Sequence, residues 1–292
     1  MIKIFTPKLW KEYSLIDCGD FEKLEQFGPY TLRRPEPQAV WRKGLSEQDW
    51  QKKADVVFKA STSHKGEWIT KPGFKEPWNI SYYLPDAELK SKLHLTAFKH
   101  VGIFPEQAEN WEYIFKTIGN YKADVRVPKV LNLFAYTGGA SLAARAAGAD
   151  VTHVDSVKQV INWANDNQNL SKLKDIRWVV EDAMKFAERE AKRGNLYNGI
   201  ILDPPAYGIG ANGERWKLEE MIDKLLKVLS NILHPEHRFL VLNSYSLGFS
   251  SLIVKNLLES NFKNIKNLEI GELVLPAKSG LDLPLGVIGR FQ

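Results

Sequence analysis

Four short stretches carry residue types suited to ligand binding and group transfer. The first is NLFAYTGGAS, residues 132–141. A glycine pair after an apolar run lets the backbone turn tightly and approach a ligand closely. A plain Gly turn that binds nothing has the same sequence. The fingerprint G-x-G-x-x-G is missing here, which argues against a pyrophosphate cradle for a nicotinamide cofactor. The second is Asp155, 17 residues past Gly138. An acid at the end of a second strand can accept hydrogen bonds from both ribose hydroxyls of an adenosine-type cofactor. Ser156 follows at a potential helix N-cap, and Asp155 acting only as a cap is the alternative.

The third is Glu181-Asp182-Ala183. Asp182 falls where a strand becomes a helix, so it can hold an adenine amino group, cap the helix, or do both. The fourth, Asp203-Pro204-Pro205-Ala206-Tyr207, is the most specific. Two prolines fix the backbone and cannot continue a strand. Asp203 and the carbonyls after it then face a cleft, and Tyr207 offers a ring for stacking on a planar substrate such as a base. A rigid loop with a structural aromatic is the plainer alternative.

These positions converge only if the elements between them place them on one edge. The segments 129–134, 149–155, 176–182, 199–203 and 238–246 read as buried strands. The segments 138–148, 156–170, 183–193, 217–233 and 250–260 read as helices, and 204–215 as a Pro/Gly loop. Such alternation predicts a parallel sheet covered on both faces. Ligands of such sheets bind outside the carboxyl ends of the strands, near the first crossover, and all four motifs fall there. The chain closes with strand-like pieces at 268–275 and 284–291 without a helix between them. The expected class is therefore α/β: a Rossmann-like, doubly wound, seven-stranded sheet with a terminal antiparallel hairpin, over 129–292.

Residues 1–95 read differently. Five of the nine tryptophans (Trp10, Trp41, Trp50, Trp68, Trp78) lie there among short apolar pieces and Pro/Gly punctuation. EWIT (67–70) and NISYYL (79–84) look like strands, and RRPEPQAVW (33–41) like a Pro-broken connection. This predicts a smaller β-rich domain, suited to substrate recognition. Residues 96–128 connect the two, with helical spacing over 105–122 and Pro105 placed to start that helix.

The chain has 292 residues, a net charge of +5 and one cysteine, Cys18. A single thiol excludes an internal disulfide and a Cys-based zinc site. No apolar run reaches the roughly 18 residues of a membrane span, and no signal peptide is visible, which leads to the expectation of a cytoplasmic protein. The mild basicity permits nucleic-acid binding without demanding it.

NLFAYTGG, Asp155, Glu181-Asp182-Ala183 and DPPAY, in this order and spacing, resemble the bacterial large-subunit ribosomal RNA (cytosine-5) methyltransferase family, with its core LNLFAYTGGFS and DPPxF. KHVGIFPEQAENW (99–111) is similar to that family's KTGFFLDQRENR element, which borders the cofactor site. Glu106 and Gln107 fall on its acid and amide, and Ala108 replaces its arginine. The resemblance covers roughly residues 97–250. It implies a class I methyltransferase using S-adenosyl-L-methionine, with no metal and with ribosomal RNA as partner. By it, Phe134, Ala135, Tyr136, Thr137 and Gly138 would line the methionine side of the cofactor, with Gln107 at its border. Asp155 and Ser156 would hold the ribose, and Asp182 and Ala183 the adenine. Asp203, with Pro204, Pro205, Tyr207 and Tyr245, would face the methyl donor and the target.

One departure bears on the chemistry. Cytosine-5 members carry a catalytic cysteine after the fifth strand, where this chain reads Asn243-Ser244-Tyr245-Ser246. A phenol of pKa about 10 is a poor replacement for a thiolate. A heteroatom target (a ring or exocyclic nitrogen, or an oxygen) needs no covalent step, and Tyr245 then serves stacking or hydrogen bonding. In the front domain, Arg33, Arg34, Trp41, Arg42 and Lys43 combine cations with an aromatic, as an RNA contact would, or form core tryptophan with solvated charge. His100 and His153 are the histidines nearest the motifs; His153 sits in a buried-type strand and reads as structural.

The leading expectation is a methyltransferase acting on ribosomal RNA at a position other than cytosine C5. Its rivals are a methyltransferase of a protein or small molecule, a nicotinamide-dependent oxidoreductase, and a non-catalytic RNA-binding relative.

Overall fold

The computed structural model describes residues 3–8, 10–61, 66–121, 125–210, 213–246 and 248–292. Lys122 at the end of the expected 105–122 helix lies outside them, as do Ala211 and Asn212 of the 204–215 loop. The chain divides into two compact units. One takes residues 6–108 and 274–285; the other takes 1–5, 109–273 and 286–292.

In chain order the elements begin with strand β1 (Lys3–Phe5), which belongs to the second unit. The front unit then forms β2 (Tyr13–Gly19), β3 (Glu22–Phe27), β4 (Tyr30–Pro35), helix α1 (Glu47–Lys53), β5 (Val56–Ala60), β6 (Gly66–Thr70), β7 (Trp78–Leu84) and β8 (Ala87–Leu93). Strands β2 to β6 make a five-stranded sheet in sequence order, and β7 and β8 a separate antiparallel pair. The β-rich expectation holds here, and β6 and β7 contain the segments read as strands. RRPEPQAVW differs: Arg33, Arg34 and Pro35 complete β4, because Pro35 sits at the strand end where its missing N–H costs nothing. Helix α1 carries no strong apolar period; Ser46 caps it by accepting from the Asp49 N–H, and it buries Trp50.

A single 3₁₀ turn (Pro105–Gln107) leads into α2 (Ala108–Tyr121). The second unit continues with β9 (Lys129–Leu133), α3 (Gly139–Ala146), β10 (Asp150–Asp155), α4 (Lys158–Leu170), β11 (Ile176–Val180), α5 (Ala183–Lys192) and β12 (Gly199–Leu202). Then come β13 (Tyr207–Ile209), β14 (Arg215–Lys217), α6 (Leu218–Ser230), β15 (Phe239–Ser244), α7 (Ser251–Asn261), β16 (Glu269–Pro276) and β17 (Asp282–Phe291).

The main sheet runs β1-β16-β17-β15-β12-β9-β10-β11. Strands β9, β10, β11, β12 and β15 are parallel, and β17 joins antiparallel to β15. The expected seven strands become eight. The extra one is β1, which pairs parallel with β16 through Lys3↔Gly271 to Phe5↔Leu273. A three-residue segment shows no period in sequence, so its pairing comes from the sheet edge that receives it. Gly271 permits this approach, because a Cβ there would lie 1.9 Å from the Lys3 carbonyl oxygen.

The core of this unit sits where helices cover the parallel strands. Helix α6 shows why: Leu218, Ile222, Leu225, Leu226 and Leu229 recur at helical spacing and are all buried. Glu219 and Glu220 in its first turn and Lys227 in its last complement the helix dipole. The switch point lies where the chain leaves β9 for β10 on one side and β12 lies on the other, at the carboxyl ends of the strands. Among the described residues no helix is long and apolar enough to cross a membrane.

Candidate active site

The turn after β9 is built from unfavourable backbone. Phe134 (φ 54°) and Tyr136 (φ 50°) are left-handed without being glycine, and Gly138 has φ 92°. Each such non-glycine residue costs on the order of 1–3 kcal/mol and persists only where its surroundings enforce it. Here they do. The Phe134 ring packs on Trp216 at 4.8 Å. The Tyr136 N–H donates to Asp155 Oδ2 at 3.0 Å. The Ala135 N–H donates to the Val154 carbonyl at 3.2 Å, and the Gly138 N–H to the Ala135 carbonyl at 3.1 Å. Asn167, buried on α4, donates to the Thr137 carbonyl at 3.0 Å. Gly139 has a different reason to be glycine: a Cβ there would lie 2.5 Å from the Trp111 ring of α2. The glycine pair thus divides its work between a left-handed cap and close helix packing.

Asp155 ends β10 half-buried, beside this turn. Its Oδ2 takes the Tyr136 N–H and its Oδ1 the Val157 N–H, both at 3.0 Å. Burial nevertheless pushes its pKa up, against these backbone donors. Each oxygen retains acceptor capacity for a hydroxyl. Ser156 follows half-buried, and the helix begins only at Lys158, with Val157 at the cap position. Asp182 caps α5 by accepting the Lys185 N–H at 3.0 Å, so capping is established and one oxygen is left for other partners. Ala183 is buried at the first position of that helix. Glu181 is held by the Arg189 guanidinium, and its N–H donates to the Asp155 carbonyl at 3.1 Å.

Asp203 follows β12 half-buried, with Pro204 buried and Pro205 exposed. The Pro/Gly loop is not wholly irregular: β13 and β14 form an antiparallel ribbon within it. Trp216, on β14, donates its indole N–H to the Pro205 carbonyl at 2.7 Å. Leu218, opening α6, donates its N–H to the Ala206 carbonyl at 3.0 Å. Trp216 therefore fixes the second proline of DPPAY with its N–H and the strained Phe134 with its ring. Sequence reading missed it, because nothing local distinguishes this tryptophan from the other eight.

The remaining residues are dispersed. Gln107 is buried in the 3₁₀ turn of the front unit. Tyr245, just beyond β15, lies against Gly286, where an added Cβ would come within 3.2 Å of its ring. His153 is fully buried on β10, its Nδ1 2.9 Å from Ser141 Oγ, which accepts from Asn132 at 2.9 Å. Burial pushes His153 down to about 3, so it stays neutral and structural. His100 is likewise pushed down to about 3, by burial and then by Arg34, Lys99 and Lys23. Neither suits general-base work near neutrality. Cys18 is fully buried in β2 of the front unit, its thiol pushed up to about 11 by burial.

The cationic cluster of the front unit is engaged internally. Arg33 makes a bidentate pair with Glu22, at 2.8 and 2.6 Å. Arg34 pairs with the buried Glu25 at 2.9 and 2.6 Å, and Lys43 with Glu22 at 2.7 Å and Glu47 at 3.0 Å. The Trp41 indole donates to the Cys18 carbonyl at 3.0 Å. The reading of this cluster as solvated charge is corrected. Three of its four cations are held in ion pairs: Arg33 and Arg34 by carboxylates on the neighbouring strand β3, and Lys43 by Glu22 and by Glu47 four residues on.

The turn fits an adenosine-type cofactor with an amino-acid tail. Gly138 supplies the left-handed conformation at the helix start and lets the turn pack closely on α4, since a Cβ there would sit 3.2 Å from Ala164 Cβ. Asp155 presents acceptors for a diol, and the Asp203 carboxylate offers negative charge suited to a sulfonium.

Comparison with known proteins agrees. Residues 61–270 match the S-adenosylmethionine-dependent methyltransferase family. A SAM-dependent methyltransferase structure from Agrobacterium tumefaciens is 38% identical, with a TM-score of 0.90 over 99% of this chain and 93% of that one. A methyltransferase crystallised with SAH shares the fold at TM-score 0.72 and 17% identity, covering 96% of this chain and 75% of that one. The ribosomal RNA large subunit methyltransferase K/L of Pseudoalteromonas translucida is 28% identical over 197 residues, 65% of this chain and 26% of that protein. Its counterpart from Shewanella loihica is 33% identical over 164 residues, 53% of this chain and 21% of that protein. The chain thus spans about a quarter of the length of these curated relatives. With the family match covering most of its length, the chain belongs to the S-adenosylmethionine-dependent methyltransferases.

Proposed function

We propose that this chain transfers a methyl group from S-adenosylmethionine to large-subunit ribosomal RNA, at a heteroatom and not at cytosine C5. The observation that carries the reading is the strained turn 134–138 locked to Asp155 at one strand end, with Asp203 at the neighbouring switch-point strand. The names of the curated relatives support an RNA target. The lack of a competent thiol supports a heteroatom: Cys18 is buried with a raised pKa, and Tyr245 follows β15.

The cofactor supplies an electrophilic methyl on a sulfonium. Asp155 accepts from the ribose hydroxyls, with Ser156 beside it, and Asp182 and Ala183 hold the adenine. Phe134, Ala135, Tyr136, Thr137 and Gly138 line the methionine portion. The Asp203 carboxylate accepts an N–H or O–H of the target, orienting its lone pair and taking up the proton. Pro204 and Pro205 hold that carboxylate in place, while Tyr207 and Tyr245 offer rings to the base. For such a displacement, alignment supplies most of the rate, since effective molarities of well-oriented groups reach about 10⁵ M or more. The front unit serves substrate recognition.

The test is transfer of labelled methyl from S-adenosylmethionine to unmodified large-subunit RNA, with Asp203→Ala as control. Label in the RNA that vanishes in the variant supports the reading. Digestion that yields 5-methylcytosine overturns the heteroatom assignment, and label in protein but not RNA overturns the substrate.

A further inference from the structure

The ribbon after DPPAY has two unlike faces. Its register pairs Tyr207 with Lys217, Gly208 with Trp216, and Ile209 with Arg215. Directly opposed residues of an antiparallel pair share a face. Trp216 therefore points inward, buried at 5% exposure, while Tyr207 and Ile209 stand 58% and 63% exposed beside two cations. Trp216 already covers the core from the inward face, so packing there does not require an aromatic and a branched apolar side chain in water.

The platform is braced. The Gly210 N–H donates to the Glu214 carbonyl at 2.8 Å, and the Glu214 carboxylate is held by Lys185 of α5 at 2.6 Å. Lys217 Nζ rests on Glu220 at 2.6 Å, with both side chains more than half exposed. Such exposed pairs contribute little and give way readily to a stronger anion.

We propose that the outward face of this ribbon binds the single-stranded RNA flanking the target nucleotide. Tyr207, nearest Asp203, meets the target base. Ile209 packs against the next base, and Arg215 and Lys217 on the opposite strand contact the phosphates between them. One aromatic ring and one apolar side chain set beside cations suit unpaired bases and their phosphates, whereas a duplex buries its base faces. The proposal rests on the RNA reading of the function.

The test uses the full chain, a fluorescent single-stranded RNA 12-mer and the matching duplex, titrated across a range of salt. The single strand should bind more tightly than the duplex. Ile209→Ser should weaken binding about tenfold without changing the salt dependence. Arg215→Gln should reduce the slope of log affinity against log salt by about 0.7, the loss of one phosphate contact, and Arg215→Lys should restore it. Both side chains are exposed, and calorimetric binding of S-adenosylhomocysteine should be retained in every variant, which reports an intact fold. If the wild type binds the single strand and these variants match it in affinity and slope, the ribbon assignment falls while the RNA reading stands. If the wild type binds neither RNA, the RNA reading falls and takes the ribbon with it.

Discussion

The indole N–H of Trp216 donates to the carbonyl of Pro205 at 2.7 Å, while the same ring packs at 4.8 Å on Phe134. One side chain thus couples the strained turn after β9 to the proline pair after β12. In the proposed mechanism the turn faces the cofactor and the proline pair faces the target, so the two must keep register for methyl transfer.

Trp216→Phe keeps a ring against Phe134 and removes the donor. We expect a stability loss of about 0.5–1.5 kcal/mol, the worth of one such hydrogen bond. Methyl transfer should slow by about 10- to 100-fold with cofactor affinity little changed, because small misplacements at a reacting centre are expensive. Single-turnover transfer alongside S-adenosylhomocysteine calorimetry separates the two effects. Equal losses in both would show that Trp216 shapes the cofactor turn alone.

Gly139→Ala should destabilise the protein by about 1–3 kcal/mol, because its Cβ would enter the Trp111 ring space at 2.5 Å. Gly119→Ala is the opposite case within α2: exposed, with nothing within 4 Å of the added Cβ. That change should stabilise by about 0.5–1 kcal/mol through helix propensity. Urea midpoints of the pair read the contrast directly.

In the proposed binding mode Asp155 should make cofactor binding depend on pH. Burial raises its pKa, so the folded chain takes up this proton at a higher pH than the unfolded chain. Above the folded pKa the charged form weighs against stability. That cost is relieved as pH falls toward the unfolded value of about 3.9. Cofactor affinity moves the other way, weakening as acidification removes the carboxylate. Asp155→Asn should bind S-adenosylhomocysteine at least about tenfold more weakly, having lost a charge-assisted acceptor, and should lack this titration. An unchanged pH profile in the variant would assign the titration elsewhere.

The buried pair of Arg34 and Glu25 should dominate the acid stability of the front unit. Burial alone would raise the Glu25 pKa, but Arg34 and Lys23 outweigh it and hold it low. Its stabilising contribution is therefore present above the ordinary glutamate value of about 4.3 and disappears as pH falls through the lowered one. Glu25→Gln leaves Arg34 buried without its carboxylate and should cost about 3–5 kcal/mol at neutral pH. Thermal melts from neutral to acid pH should show wild type and variant converging at the acid end.

Cys18→Ala should retain methyl transfer, with a modest loss of stability from its buried site in β2. Loss of activity without loss of fold would revive a thiol mechanism.

Much of the second unit was legible before any coordinates. Apolar runs alternating with amphipathic helices, Gly138 after β9, and acids at positions 155, 182 and 203 follow from local periodicity and turn chemistry, which short-range sterics impose on any chain. The positions of Asp155, Asp182 and Asp203 at carboxyl strand ends follow from that alternation. Tertiary structure alone decided the rest. The pairing of β1 with β16 joins residues more than 260 positions apart, so no local pattern signals it. The ribbon β13–β14 exists because Trp216 finds Pro205 and Phe134 to pack on. The reason Gly139 is glycine lies in Trp111, 28 residues away in sequence. The cations at 33 and 34 are neutralised by Glu22 and Glu25 on the neighbouring strand β3. Long-range contacts of this kind depend on which surfaces meet, and that is set by the packing of whole elements.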